Sequence, residues 1–130
     1  MKRSPVLISG LLCLMVLVGA SSLFAQSTCK VERIVFATSV EDREPVGENT
    51  EFDQSVGRVH CWTKITAENP PVAFSHVWYK GDQKVLEVPL KANYSSTRSW
   101  SNKAISPGDW NVEVLDEKGE VLGSARFTVK

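Results

Sequence analysis

The sequence has few of the residues from which reactive or metal-binding sites are built. It contains three cysteines and two histidines in 130 residues. A metal site needs several such ligands at matched spacing, and none recur at such spacing here. A Gly-x-Ser-x-Gly nucleophile elbow and a Gly-rich phosphate loop are also missing. These absences favour a protein that is not an enzyme and that needs no cofactor.

The chain also lacks an excess of either charge. Lys plus Arg and Asp plus Glu number 15 each. Proteins that bind nucleic acid usually carry a basic excess or a dense basic stripe, so no nucleic-acid partner is expected. Beyond the N-terminal segment no helical period of useful length occurs, which excludes a helical bundle.

The first 25 residues differ in composition from the rest of the chain. Lys2 and Arg3 are followed by an uncharged run rich in Leu and Val, and the segment ends on small residues such as Ala25. This order predicts a secretory signal over residues 1–25 that is removed before a domain over residues 26–130. The alternative is an uncleaved anchor in the inner membrane, because the run just reaches the ~20 residues of a span. The domain is exported in either case: the expected location is periplasmic or secreted, and the alternative is attachment to the inner membrane by the N-terminal segment.

The last 23 residues predict a β-hairpin. Trp110, Val112 and Val114 alternate with polar residues, and Phe127 and Val129 repeat the pattern after a turn over 116–119. Alternation with a period of two places apolar side chains on one face of a strand. A hairpin is barely stable alone, so this face must pack against another sheet.

Turn signals separate five further short strands in the preceding sequence. The predicted strands cover 31–40, 56–66, 73–79, 84–90 and 97–103, with Pro89 marking an edge strand. Between the first two lies a predicted loop that runs from Glu41 to about Gln54. Seven short strands at regular spacing predict an all-β fold, an immunoglobulin-like antiparallel β-sandwich with a buried Trp78 on the third strand.

The second predicted strand has two faces of different character. Val59, Cys61 and Ile65 make the more apolar face, together with Thr63, and are expected in the core. Strict alternation then sends Lys64 and the residues of a possible binding surface outward. That surface comprises Arg58, His60 and Trp62, with Arg43 from the charged loop beside it. An exposed Trp among cations suits contact with sugars or proteins, and the alternative is that another strand covers it.

The spacing of the cysteines argues against a disulfide. Cys13 lies in the predicted signal, which leaves Cys29 and Cys61. If the first two strands pair across their loop, Cys61 faces about Val35 and Cys29 lies near residue 67. That separation is about 20 Å at ~3.3 Å per residue, beyond bridging range. A folded-back N-terminus would still allow the bond, so both states stay open.

Four short motifs resemble those of one bacterial family, domain of unknown function 2914 (DUF 2914). The motifs are Asp42-Arg43-Glu44-Pro45, His76-Val77-Trp78, Arg98-Ser99-Trp100-Ser101 and Gly108-Asp109-Trp110. The resemblance extends over about 31–129. It implies an exported or membrane-attached bacterial domain with no established activity and no assigned catalytic residues. Family members carry a further Trp where this chain has the compact segment 104–107.

Composition, motifs and resemblance together predict a non-catalytic interaction module of the bacterial cell envelope, which binds protein or glycan. The runner-up is an envelope glycan enzyme or its accessory subunit. A flat aromatic face would favour binding. A pocket that joins His60 or His76 to Asp42 or Glu44 would favour catalysis.

Overall fold

The computed structural model describes residues 29–130, and the predicted signal lies outside the described residues. Within that range the chain forms strands and a single 3-10 turn at Gln54–Val56. The strands are β1 (Cys29–Ala37), β2 (Ser39–Glu41), β3 (Glu44–Val46), β4 (Glu51–Phe52), β5 (Arg58–Ala67), β6 (Val72–Lys80), β7 (Gln83–Ala92), β8 (Ser96–Ala104), β9 (Gly108–Asp116) and β10 (Val121–Val129).

Two sheets pack face to face as a sandwich. One has the strand order β1-β5-β8, and the other has the order β4-β10-β9-β6-β7. In the lettering of immunoglobulin domains, the long strands form the sheets A-B-E and G-F-C-C′. The predicted all-β sandwich is therefore confirmed. β7, which carries Pro89, is an edge strand as expected.

The segment predicted as a loop from Glu41 to about Gln54 is more ordered than expected. β2 and β3 pair as a small hairpin, and β4 pairs in parallel with the end of β10. The loop prediction was wrong there because the charges and Pro45 were interpreted as strand breakers. The first strand is correspondingly split, since β1 ends at Ala37 and β2 begins at Ser39.

Two apolar clusters fill the space between the sheets. The larger cluster is built around Trp78, Trp110 and Phe127, and the Trp110 and Phe127 rings stack with centroids 5.8 Å apart. The smaller cluster includes Ile65 and Phe74. The predicted core face of the second strand is confirmed, because its four residues are completely buried. They are Val59, Cys61, Thr63 and Ile65.

The cysteines are buried and unpaired. Cys29 faces Ala67 and Cys61 faces Phe36 across the same strand pair, within one residue of the register expected from the sequence. Since Cys29 and Cys61 lie in different apolar clusters, the geometric argument against a bond between them holds.

Replacing Trp78 with Ala should lower the free energy of unfolding by about 3–5 kcal/mol, because a completely buried ring would leave a large cavity. Trp100→Ala is the matched control, since that ring is 36% exposed and its loss should change stability by only about 0.5 kcal/mol. Urea denaturation of both variants measures the difference. Equal losses in the two variants would contradict the assignment of the core.

Candidate functional site

The outer face of the three-stranded sheet carries the predicted binding surface. Side chains of β1, β5 and β8 that are register partners lie side by side across this face. Val35, Trp62 and Trp100 form one row, and Arg33, Lys64 and Arg98 form the next. The prediction that Trp62 and Lys64 point away from the sandwich core is therefore correct.

The second of these rows, called the basic row below, brings together three cations. Lys64 lies directly between Arg33 and Arg98. Like charges opposite one another in a sheet repel. Two acids relieve part of the repulsion, because Glu48 pairs with Arg33 at 2.7 Å and Glu44 pairs with Arg98. These ion pairs are largely exposed, so each contributes little to stability.

The β2–β3 hairpin covers Trp62, which is only 2% exposed. The expectation that Trp62 is exposed was therefore wrong. Its indole Nε1 donates a hydrogen bond to the carbonyl oxygen of Arg43 at 3.0 Å, and the Arg33 guanidinium lies 5.4 Å from the centre of its ring. The alternative, coverage of this ring by another strand, is correct, and the covering residues are those predicted to form a loop.

The turn of this hairpin has an unusual backbone. Asp42 and Arg43 both have positive φ, at 50° and 67°. A two-residue turn with two positive φ values matches the twist of a hairpin and normally selects Asn-Gly or Asp-Gly. An Arg in this conformation costs about 1 kcal/mol relative to Gly. The turn places the Arg43 carbonyl above Trp62 and its charged side chain beside the basic row.

The other two predicted surface residues lie away from the basic row. His60 is half-buried on β5 in the row beyond Trp62. Arg58 lies at the start of the same strand, and its guanidinium donates a hydrogen bond to Asn102 at 2.7 Å. Burial, followed by the charge of Arg58, lowers the pKa of His60. Of the four predicted surface residues, the structure thus brings Arg43 and Trp62 into contact, whereas His60 and Arg58 lie outside that group.

A cleft of about 370 Å³ opens between the hairpin turn and the basic row. Four cations and one acid contribute to its walls, and Trp62 contributes the one aromatic ring. The lining residues are Arg33, Arg43, Glu44, Trp62, Lys64, Ser96 and Arg98. A volume of this size falls in the range of small-ligand sites, roughly 300–1,000 Å³.

Three residues of this face were not predicted from the sequence to lie there: Arg33, Arg98 and Trp100. The expected pairing of the first two strands places Arg33 within one residue of Lys64, so the contact between these two cations was nearly predictable. The motif Arg98-Ser99-Trp100-Ser101 also alternates, but with serines in the positions that face the core. A rule that turns apolar residues inward would have put Trp100 on the wrong face.

The inward serines take part in a buried hydrogen-bond chain around His76. Trp78 Nε1 donates to Ser101 Oγ at 3.0 Å, and Ser101 Oγ lies 2.7 Å from His76 Nδ1. On the far side, His76 Nε2 lies 3.0 Å from Thr63 Oγ1, which donates to the Ser99 carbonyl at 3.4 Å. With the ring proton on Nε2, each hydroxyl accepts one bond and donates one.

This buried hydrogen-bond chain contains a Ser–His pair, but a substrate could not reach it from solvent. His76 is completely buried and Ser101 is 6% exposed. Both ring nitrogens of His76 have hydrogen-bond partners. The structure therefore places His76 in the interior, between the two sheets and out of contact with solvent.

Replacing Arg43 with Gly should raise the free energy of unfolding by about 1 kcal/mol, because Gly adopts positive φ without strain. Arg43→Ala is the control, since it removes the charge but keeps a side chain at the same backbone position. Thermal and urea denaturation distinguish the two. If both variants gained the same stability, the gain would come from charge rather than from the backbone.

Protonation of His76 should destabilise the protein in mild acid. Burial lowers its pKa to about 4, from 6.5 for a free histidine, so between these values the unfolded chain binds more protons than the folded protein. The contribution of neutral His76 is complete above pH 6.5 and is lost as the pH falls to about 4. It amounts to about 3 kcal/mol.

NMR titration of the imidazole resonances measures this pKa directly, and urea denaturation between pH 4.5 and 7 measures its effect on stability. His60→Gln separates the contribution of the second histidine. A His76 ring that titrates near pH 6.5 would contradict the assignment.

Comparison with known proteins identifies one family. The family model described as "Protein of unknown function (DUF2914)" matches residues 73–129. No curated protein matches the chain. The match contains three of the motifs noted in the sequence but begins after Asp42-Arg43-Glu44-Pro45. Residues 73–129, from β6 to β10, thus match the DUF2914 family model, which supports the resemblance noted in the sequence.

Proposed function

We propose that the chain is a non-catalytic interaction module of the bacterial cell envelope, and that the outer face of the three-stranded sheet binds a protein or glycan there. The observation that carries this proposal is the position of Trp100. Its ring is 36% exposed and lies beside the covered Trp62 and next to the basic row. An exposed aromatic ring on a rigid sheet next to cations is a typical contact surface.

Two further observations, the composition of the N-terminal segment and the burial of His76, support the proposal. The N-terminal segment has the composition of an export signal, which would deliver the domain to the envelope. Residues 29–130 contain no helix that is long and apolar enough to cross a membrane. In the interior, the Ser101–His76 pair is closed to solvent, so His76 does not form the pocket with Asp42 or Glu44 that would favour the enzyme alternative.

Trp100→Ala should weaken retention of the protein on a purified envelope fraction by about thirtyfold, the effect of losing a hot-spot residue worth about 2 kcal/mol. The folded structure should be unaffected. Retention is measured by co-sedimentation with intact, protease-treated and periodate-treated envelope, so that the loss is assigned to protein or to glycan.

Tyr94→Ala is the matched control, because Tyr94 is 68% exposed and lies on the β7–β8 connection, outside the rows of the outer face. Equal retention of the Trp100 and Tyr94 variants would show that the outer face is not the contact surface.

A further inference from the structure

The basic row is costly for the fold. Lys64 has an arginine directly opposite it on each neighbouring strand, and like charges in these positions destabilise a sheet. In residues 29–130 there are 13 basic and 15 acidic side chains, a net charge of −2. A row of cations is thus concentrated in a domain that is slightly acidic elsewhere.

The neighbouring acids compensate only part of this charge. Glu48 and Glu44 pair with Arg33 and Arg98. Among the residues that the structure describes, no carboxylate forms an ion pair with Lys64 or Arg43. The cleft therefore presents two uncompensated cations, Lys64 and Arg43, among its lining residues.

We infer that this cleft binds the carboxylate of an acidic saccharide, with the sugar ring lying toward Trp100. The inference rests on the proposed function and names the class of its ligand. Arg98 and Trp100 are two residues apart on the same face of β8, about 6.6 Å at ~3.3 Å per residue. This is about the length of one uronic acid residue, so a ring on Trp100 places its carboxylate over the basic row.

The character of the cleft favours a saccharide over other anionic partners. Protein contacts depend on apolar anchors in apolar pockets, and Trp62 is the one apolar residue that lines this cleft. Nucleic acid requires many phosphate contacts on a basic surface, whereas this domain has a net charge of −2. A single carboxylate on a sugar needs only the two uncompensated cations and a ring to stack against.

Isothermal titration of the purified protein with a trigalacturonate probe tests the inference. The carboxyl-reduced trisaccharide and a hexaglutamate peptide serve as comparison ligands. The acidic trisaccharide should bind, and the reduced sugar and the peptide should each bind at least about tenfold more weakly. Raising the ionic strength from about 0.1 to about 1 M shortens the Debye length from about 10 to about 3 Å and should weaken binding.

Lys64→Gln should weaken binding of the acidic trisaccharide by about tenfold or more, the effect of losing one charge-assisted hydrogen bond. Lys91→Gln is the matched control, because Lys91 is an exposed lysine on β7 of the other sheet. Removing one member of a like-charged row should not impair folding, and circular dichroism of Lys64→Gln checks this.

Three results would overturn the inference. They are no binding of trigalacturonate, equal binding of the reduced sugar, and equal or tighter binding of the peptide. None of them concerns the proposed function itself, because envelope retention by way of Trp100 is measured separately. Loss of trigalacturonate binding in Lys64→Gln but not in Lys91→Gln would support both the ligand class and its place in the cleft.

Discussion

The sandwich depends on one buried chain of hydrogen bonds that joins its two sheets. It runs from the Trp78 indole through Ser101 to His76, and on through Thr63 to a backbone carbonyl. On β5 and β6 these polar positions separate the two apolar clusters. A buried polar group without a partner is costly, and a fully satisfied network makes a particular packing unique. This hydrogen-bond chain therefore fixes how the two sheets align, because apolar contacts alone would specify the alignment less sharply.

This interior requirement also determines the outer surface. Ser101 must face inward, because its hydroxyl group is a member of the hydrogen-bond chain, and Ser99, two residues earlier, faces the same way. Because neighbouring residues of a strand point to opposite faces, Arg98 and Trp100 must face outward. There they become neighbours of Lys64 and Trp62, whose own orientation follows from Thr63 facing His76. The exposed aromatic ring and the basic row are thus consequences of the same alternation that places hydroxyl groups around a buried histidine.

The strands and the core of this domain were largely predictable from the sequence, whereas the site was not. The alternation of Trp110, Val112 and Val114 sufficed for the C-terminal hairpin, because its apolar residues do face the core. The orientation of β8 was harder to predict, since its inward-facing residues are Thr and Ser. The hairpin over Trp62 was missed because its turn uses Asp-Arg where Asn-Gly or Asp-Gly is usual.

The covering hairpin explains why an aromatic ring on the outside of a sheet is useful when solvent does not reach it. Trp62 is held by the hydrogen bond that its indole N–H donates to the Arg43 carbonyl and by the guanidinium of Arg33 beside its ring. A ring fixed in this way forms a rigid part of the cleft wall, and rigid supports lower the entropy cost of binding. The strained backbone at Arg43 is consistent with this role, because a Gly there would relieve the strain but remove a cation from the cleft. Stability and charge at the cleft therefore compete at a single residue, as is common where a fold supports a binding site.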